Sequence, residues 1–290
     1  MHSVMNLEQA SSKRTVAPVD WATVEVPPSW ADELDLSRLP DLFRVFRHLL
    51  GPRRPVRLPP NTPGADLLPA YLFHEFHHLP NGNFSSFYAD GYLWAFDATM
   101  MGLSRRMRQS LAARLKDRTS VLDLGCSGAD LAAAIRRAGV DDVVGLDASP
   151  YMLQHAARRN PGIPLVQGLA EKTDFPDGRF DAVTAFFLFH ELPWATADDV
   201  LRETRRILAP GGLVVICEPG PEQMYSSLWS LLRKAGPIGA WWKLIASVAH
   251  EPFVVEWHRR EPKGWFASHG FELLEDKSEL PFRTLVARRV

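Results

Sequence analysis

A chain of 290 residues, 46% apolar and 23% charged, is long enough to bury a full core as one large domain or one domain with substantial additions. Its formal net charge of -1 provides no global field toward nucleic acid or an anionic membrane, and the pairs Arg53–Arg54, Arg158–Arg159 and Arg259–Arg260 read as solvated surface, so no nucleic-acid partner is expected. Cys126 and Cys217 are too few for a disulfide framework, the opening MHSVMNLEQASSKR lacks the apolar run of a signal peptide, and the apolar GAWWKLIASVAH is too short to span a bilayer and holds Lys243; the expected location is cytoplasmic.

Residues 1–64 read as a loose, partly irregular arm, because the prolines of GPRRPVRLPPNTPG remove backbone donors; a helix is predicted over DLFRVFRHLL. From 65 to 118 the pattern turns helical, first over ADLLPAYLFHEFHH and then, beyond the PNGN turn at Pro80–Asn83, over YADGYLWAFDATMMGLSRRMRQSLAARL. His74, Glu75 and His78 stand at the spacing H-E-x-x-H, by which one helical face can offer two imidazoles to zinc and a carboxylate as general base, so a zinc hydrolase is one reading. Leu79 and Pro80 end that helix at His78 and no pattern marks a third ligand, so no metal is expected.

From 119 to 290 short apolar runs alternate with helical segments, SVLDLG, LAAAIRRAG, VVGLDAS and YMLQHAARRN, which predicts a parallel sheet covered on both faces. At the first strand-to-helix turn, VLDLGCSGAD, Gly125 and Gly128 let the backbone turn tightly and approach a ligand, while Asp130 is placed to cap the next helix. A dinucleotide fingerprint would need glycine where Ser127 and Asp130 stand. What remains is Asp123 before the first glycine and Asp147 at the end of the next strand, where a carboxylate can take ribose hydroxyls; a nucleoside without a pyrophosphate fits better.

Four ordered motifs, VLDLGCSGAD, VVGLDASPYML, VQGLAEKTDFPDGRFDAVTAFFLFHELP and LRETRRILAPGGLVVICEP, resemble the class I S-adenosylmethionine-dependent methyltransferases, particularly the ubiquinone and menaquinone biosynthesis branch. The resemblance covers about Leu111 to Glu218 and continues through GWFASHGFELLEDKSELPFRTLVARR. It implies an α/β, Rossmann-like, doubly wound, mostly parallel seven-stranded sheet with an antiparallel last strand, to which the N-terminal helical addition and a helical cap insert at about 220–260 are joined. It also implies S-adenosylmethionine as cofactor. Asp123, Gly125 and Cys126 fall where the family holds the methionine part, although the pattern usually has glycine at Ser127 and Ala129, with Gly128 supplying some of the lost flexibility. Asp147 matches the ribose-binding acid, and Ala148 and Met152 the adenine surroundings. Leu169 replaces the acid that meets the adenine amino group, leaving Ala170 and Glu171 nearby; Phe187 falls beside the transferable methyl.

His190, in FLFHELP, matches a position facing the reaction cleft and is the candidate proton acceptor, with a structural cap at the strand end as the rival reading. The helical layer with Phe84, Tyr88, Tyr92, Trp94 and Phe96 would form a lid, and Tyr88, Tyr92 and Trp229 are assigned to the acceptor pocket. The insert, aromatic through Trp229, Trp241, Trp242 and Trp257, is read as a cap over an apolar acceptor, with a homodimer surface or an interfacial membrane contact as alternatives. The expected activity is methyl transfer to a small, largely apolar or aromatic metabolite; the alternative is a binding protein that keeps the cofactor fold.

Overall fold

The computed structural model describes residues 19–49, 51–248 and 251–290, apart from the side chains of Leu49 and Tyr92. Seven strands form one sheet: β1 (Ser120–Leu124), β2 (Asp142–Asp147), β3 (Leu165–Gln167), β4 (Phe180–Phe186), β5 (Leu208–Pro219), β6 (Phe271–Glu279) and β7 (Phe282–Arg289), in the order β3-β2-β1-β4-β5-β7-β6. The first five run parallel, and β7 runs antiparallel between β5 and β6. Val121, Leu122 and Leu124 are buried on both faces of β1, which is why the strand reads as a continuous apolar run. One core layer gathers Leu111, Leu131, Ile135 and Leu153, and the other Phe180, Leu201, Phe266 and Phe271.

The position of the site follows from the strand order. From β1 the chain moves outward to β2 and β3, and from β4 it moves outward the other way, so the crossings diverge between β1 and β4 and leave a crevice at their carboxyl ends.

The additions depart from the expectation in two places. The described part of the arm, from residue 19 on, packs against the sheet domain: Trp21 is 4% exposed and its Nε1 donates to Leu165 O, Gln154 donates to Val24 O, and Tyr151 OH donates to Pro27 O. The helix at Leu39–Leu49 is present. The segment 65–78, expected to be helical, instead forms short 3-10 turns at Ala65–Leu67, Ala70–Phe73 and Phe76–His78. His77 and His78 take left-handed φ of 57° and 54°, and Glu75 turns inward to accept from the backbone N–H groups of Arg54 and Asn81. α-Helix resumes at Ser86–Thr99, capped by Ser85, and at Leu103–Arg114. The insert folds as helices Glu222–Tyr225, Leu228–Ala235, Pro237–Val248 and Val254–Arg259. Among the described residues no helix is long and apolar enough to cross a membrane.

Candidate active site

At the carboxyl ends of β1, β2 and β4 a cavity is lined by Asp123, Gly125, Cys126, Gly128, Asp147, Ala148, Met152, Ala170, Glu171 and Phe187. These are the ten residues the sequence assigned to the cofactor, and they come from four separate stretches of chain. Asp123 is buried and accepts from Thr184 Oγ1 and Ala132 N, both at 3.0 Å. It therefore also holds the amino end of the helix Asp130–Arg137, the task expected of Asp130. Asp130 instead pairs with Arg159 at 2.9 Å. Burial pushes the Asp123 carboxyl up to about 7 despite those two bonds.

Asp147 lies at the tip of β2, its Oδ2 accepting from Ser127 N at 2.8 Å and its Oδ1 from Ser149 N at 2.9 Å. Each carboxylate oxygen has capacity for a further hydrogen bond, so two vicinal hydroxyls can be taken there. Burial raises its carboxyl to about 6. Asp147→Ala should weaken binding of S-adenosylhomocysteine by about 1.5 to 3 kcal/mol, the range for lost charge-assisted bonds. Calorimetric titration reads this directly; unchanged affinity would leave Asp147 as a tie between two loops and nothing more.

The glycine loop has two different reasons for its glycines. Gly125 has φ +60°, and a Cβ there would lie 2.9 Å from Leu188 Cδ1; a Cβ on Gly128 would lie 2.5 Å from Leu93 Cδ1. Gly128 thus lets the helix Ser86–Thr99 sit on the loop, where its Leu93 and Phe96 help roof the cavity. Cys126 is buried, and burial, with Asp147 and Asp123 nearby, holds its thiol well above the ordinary range, which argues against a nucleophile.

Glu171, two residues beyond Leu169, brings a carboxylate to this wall of the cavity. Tyr71 OH donates to Glu171 Oε1 at 2.8 Å, whereas Oε2 is buried and without a partner. A buried acceptor left unmatched is costly, so the cavity wall carries an unsatisfied demand for a donor such as an amino group. Arg108 is an unforeseen lining residue, nearly buried, its Nη2 donating to both oxygens of Asp97 at 2.7 and 2.8 Å.

A second cavity, of about 430 Å³, adjoins the first; His77, Phe96 and Phe187 line both. Its walls are mostly apolar, formed by Tyr88 and Met100 of the N-terminal helical layer, Phe187 at the end of β4, and Trp242, Ile245 and Val254 of the insert. The helix Ser86–Thr99 and the insert are tied together by Trp241 Nε1 donating to Thr99 O at 2.9 Å. Tyr88, assigned to the acceptor pocket, lines this second cavity. Trp229 does not line it: it is 80% exposed on the helix Leu228–Ala235 and lines neither cavity, because that helix turns Leu231 inward, and Trp242 is the tryptophan that lines the second cavity. Trp94 is likewise exposed, and Phe84 is buried against Tyr151 away from the cleft. The side chain of Tyr92 lies outside the described residues.

His190 sits in the wall of the second cavity, 3% exposed, its ring 5.5 Å from that of Phe187. Its Nδ1 meets Glu218 Oε2 at 2.6 Å, and the fully buried Glu218 also accepts from the backbone N–H groups of Leu188, Phe189 and His190. Nδ1 therefore carries the proton and Nε2 is the free basic nitrogen. Burial opposes a charge on the ring, but the Glu218 carboxylate outweighs it and the histidine pKa lies above its ordinary value.

His77, overlooked beside the zinc-like spacing, bridges Glu191 at 3.0 Å and Glu251 at 2.8 Å where the cavities join. The zinc reading itself fails on geometry. His74 is exposed, Glu75 is buried against His48 Nε2 at 2.6 Å, and the intervening backbone is not α-helical, so the three side chains share no face. Among the described residues no group of three or more His, Cys, Asp or Glu could hold a metal.

This strand order and this ligand edge define a class of fold, and the comparisons with known proteins name it. Residues 121–212 match the family described as a methyltransferase domain. The chain is similar to an uncharacterized methyltransferase of Synechocystis sp., 38% identical over 34% of this chain and 46% of that one. It is similar to the demethylmenaquinone methyltransferases of Streptomyces avermitilis, 36% identical over 45% and 56% of the two chains, and of Thermus thermophilus, 40% identical over 35% and 47%. The chain spans about half the length of these relatives. Residues 121–212 thus carry a methyltransferase domain.

Proposed function

We propose that the chain methylates a small, largely apolar or aromatic molecule at a hydroxyl group, with S-adenosylmethionine as donor. The observation that carries the reading is the His190–Glu218 pair, set in an apolar cavity that shares Phe187 with the cavity at the glycine loop. The residues present suit the cofactor: Asp147 for the ribose, the unpartnered Glu171 Oε2 for the adenine amino group, and Arg108 for the carboxylate. When bound, the cofactor supplies a sulfonium-activated methyl group. The protein's own work is then alignment, exclusion of water and removal of one proton.

His190 Nε2 takes the proton from the acceptor hydroxyl, while Glu218 holds the ring in the right tautomer and balances the imidazolium that forms. Phe187 and Phe96, which line both cavities, keep water from their join. The demethylmenaquinone methyltransferase names among the relatives support an apolar, aromatic acceptor. Incubating the purified chain with isotopically methyl-labelled cofactor and metabolite extracts, and following label by mass spectrometry, tests the reading. Label appearing in an apolar hydroxylated compound supports it. Cofactor binding without any transfer would favour a binding protein of the same fold.

A further inference from the structure

The helix Leu39–Leu49 is turned the wrong way for a helix of a water-soluble domain. Asp41, Val45 and His48 face the protein, His48 being 4% exposed and tied to Glu75. Leu39, Leu42, Phe43 and Phe46 recur at i, i+3, i+4 and i+7 and so make one outward stripe, and they are 79%, 48%, 63% and 57% exposed. Arg44 and Arg47 border the stripe on one flank and Arg38 on the other. Between positions 38 and 57 the chain has Arg38, Arg44, Arg47, Arg53, Arg54 and Arg57 against the single acid Asp41. Arg38 and Arg44 make ion pairs with Asp35 and Asp41, but those arginines are exposed, where such pairs hold weakly.

We propose that this helix docks the protein on the surface of an anionic lipid bilayer. An apolar stripe flanked by arginines matches the acyl boundary with phosphate groups on either side of it, whereas a folded protein partner would call for no such two-sided cationic border. The helix lies in the plane of the surface, since at about 1.5 Å per residue it is far too short to span one. Docking would also bring the acceptor cavity close to the lipid: Glu75, which fastens the helix through His48, lies two residues from His77 in the cavity wall. An apolar acceptor dissolved in the bilayer could then reach His190 with little passage through water. The docking itself does not depend on the methyl-transfer reading.

The test is co-sedimentation of the full chain with vesicles of phosphatidylcholine alone and of phosphatidylcholine mixed with phosphatidylglycerol. Wild type should partition onto the anionic vesicles at least about tenfold better than onto neutral ones, and salt should weaken the binding. The double variant Phe43→Glu/Phe46→Glu should lose that binding while keeping its S-adenosylhomocysteine affinity and circular dichroism, which separates lost docking from misfolding and from any failure of the catalytic assignment. Wild type that ignores anionic vesicles, or a double variant that binds them equally well, overturns the proposal. So does a concentration-dependent dimer, abolished by the same substitutions, in a protein that binds no vesicles, since a second copy would then be what covers the stripe.

Discussion

His190→Gln lowers turnover on the true acceptor by about a hundredfold to ten-thousandfold, the usual worth of a positioned general base, with little change in cofactor affinity. Glutamine keeps the size and polarity of the ring but cannot hold a proton at the reacting edge. The wild-type rate rises with pH, because the neutral ring is the working form, and its midpoint lies above that of an ordinary histidine since Glu218 raises the pKa against the effect of burial. Glu218→Gln should move that midpoint down and reduce the rate, a displacement that a merely structural glutamate would not produce. Stability runs the opposite way. A histidine whose folded pKa is raised contributes stability fully below its unfolded value near 6.5, and that contribution is lost as pH rises through the folded pKa. The chain should therefore be fastest where this pair holds it together least. Single-turnover rates across pH, beside thermal melts in the same buffers, check both slopes; a flat rate profile with near-normal His190→Gln turnover would mean that alignment alone suffices and that the acceptor arrives already nucleophilic.

The parts of this site set by local sequence were legible, and the parts set by register were not. A buried apolar run ending in a glycine turn, followed by an acid at the next strand end, places Asp123, Gly125 and Asp147 at one edge of a parallel sheet with no further information. The family resemblance marks Ser127 and Ala129 as departures from glycine, and both take left-handed φ, 48° and 57°. That conformation costs an L-residue roughly 1–2 kcal/mol, so the loop keeps its shape at a cost that glycine at these positions would avoid. Glu218 carries no sign of its role in the sequence, because its partnership with His190 arises only once Phe186 is paired with Cys217 across β4 and β5. Trp229 and Trp242 could not be told apart as cap residues, since each lies in a short apolar helix whose rotation is decided by what it packs on. The helix expected over His74–His78 fails for a similar reason: the H-E-x-x-H pattern presumes an α-helix, and the backbone hydrogen bonds to Glu75 stabilise another conformation.

Gly125→Val should reduce cofactor affinity by about thirtyfold to several thousandfold, corresponding to roughly 2–5 kcal/mol. Two costs add. Valine at φ +60° occupies a region that β-branched side chains almost never enter, worth about 1–2 kcal/mol or more. Its Cβ would also meet Leu188 Cδ1 at 2.9 Å, and Leu188 lines the cavity, so relief comes either by pushing that side chain into the space for the ligand or by moving the loop. Such overpacking typically costs a further 1–3 kcal/mol or so. The free protein can escape much of this strain by letting the loop leave its left-handed turn, whereas binding requires the turn to re-form. The penalty therefore falls on affinity more than on global stability. Titration with S-adenosylhomocysteine should show the loss while far-ultraviolet circular dichroism stays close to wild type, and Gly125→Ala should fall between the two because it shares the φ penalty without the branch. Equal affinity in all three proteins would mean that the cofactor does not approach this turn, and the site would have to be sought elsewhere along the carboxyl edge of the sheet.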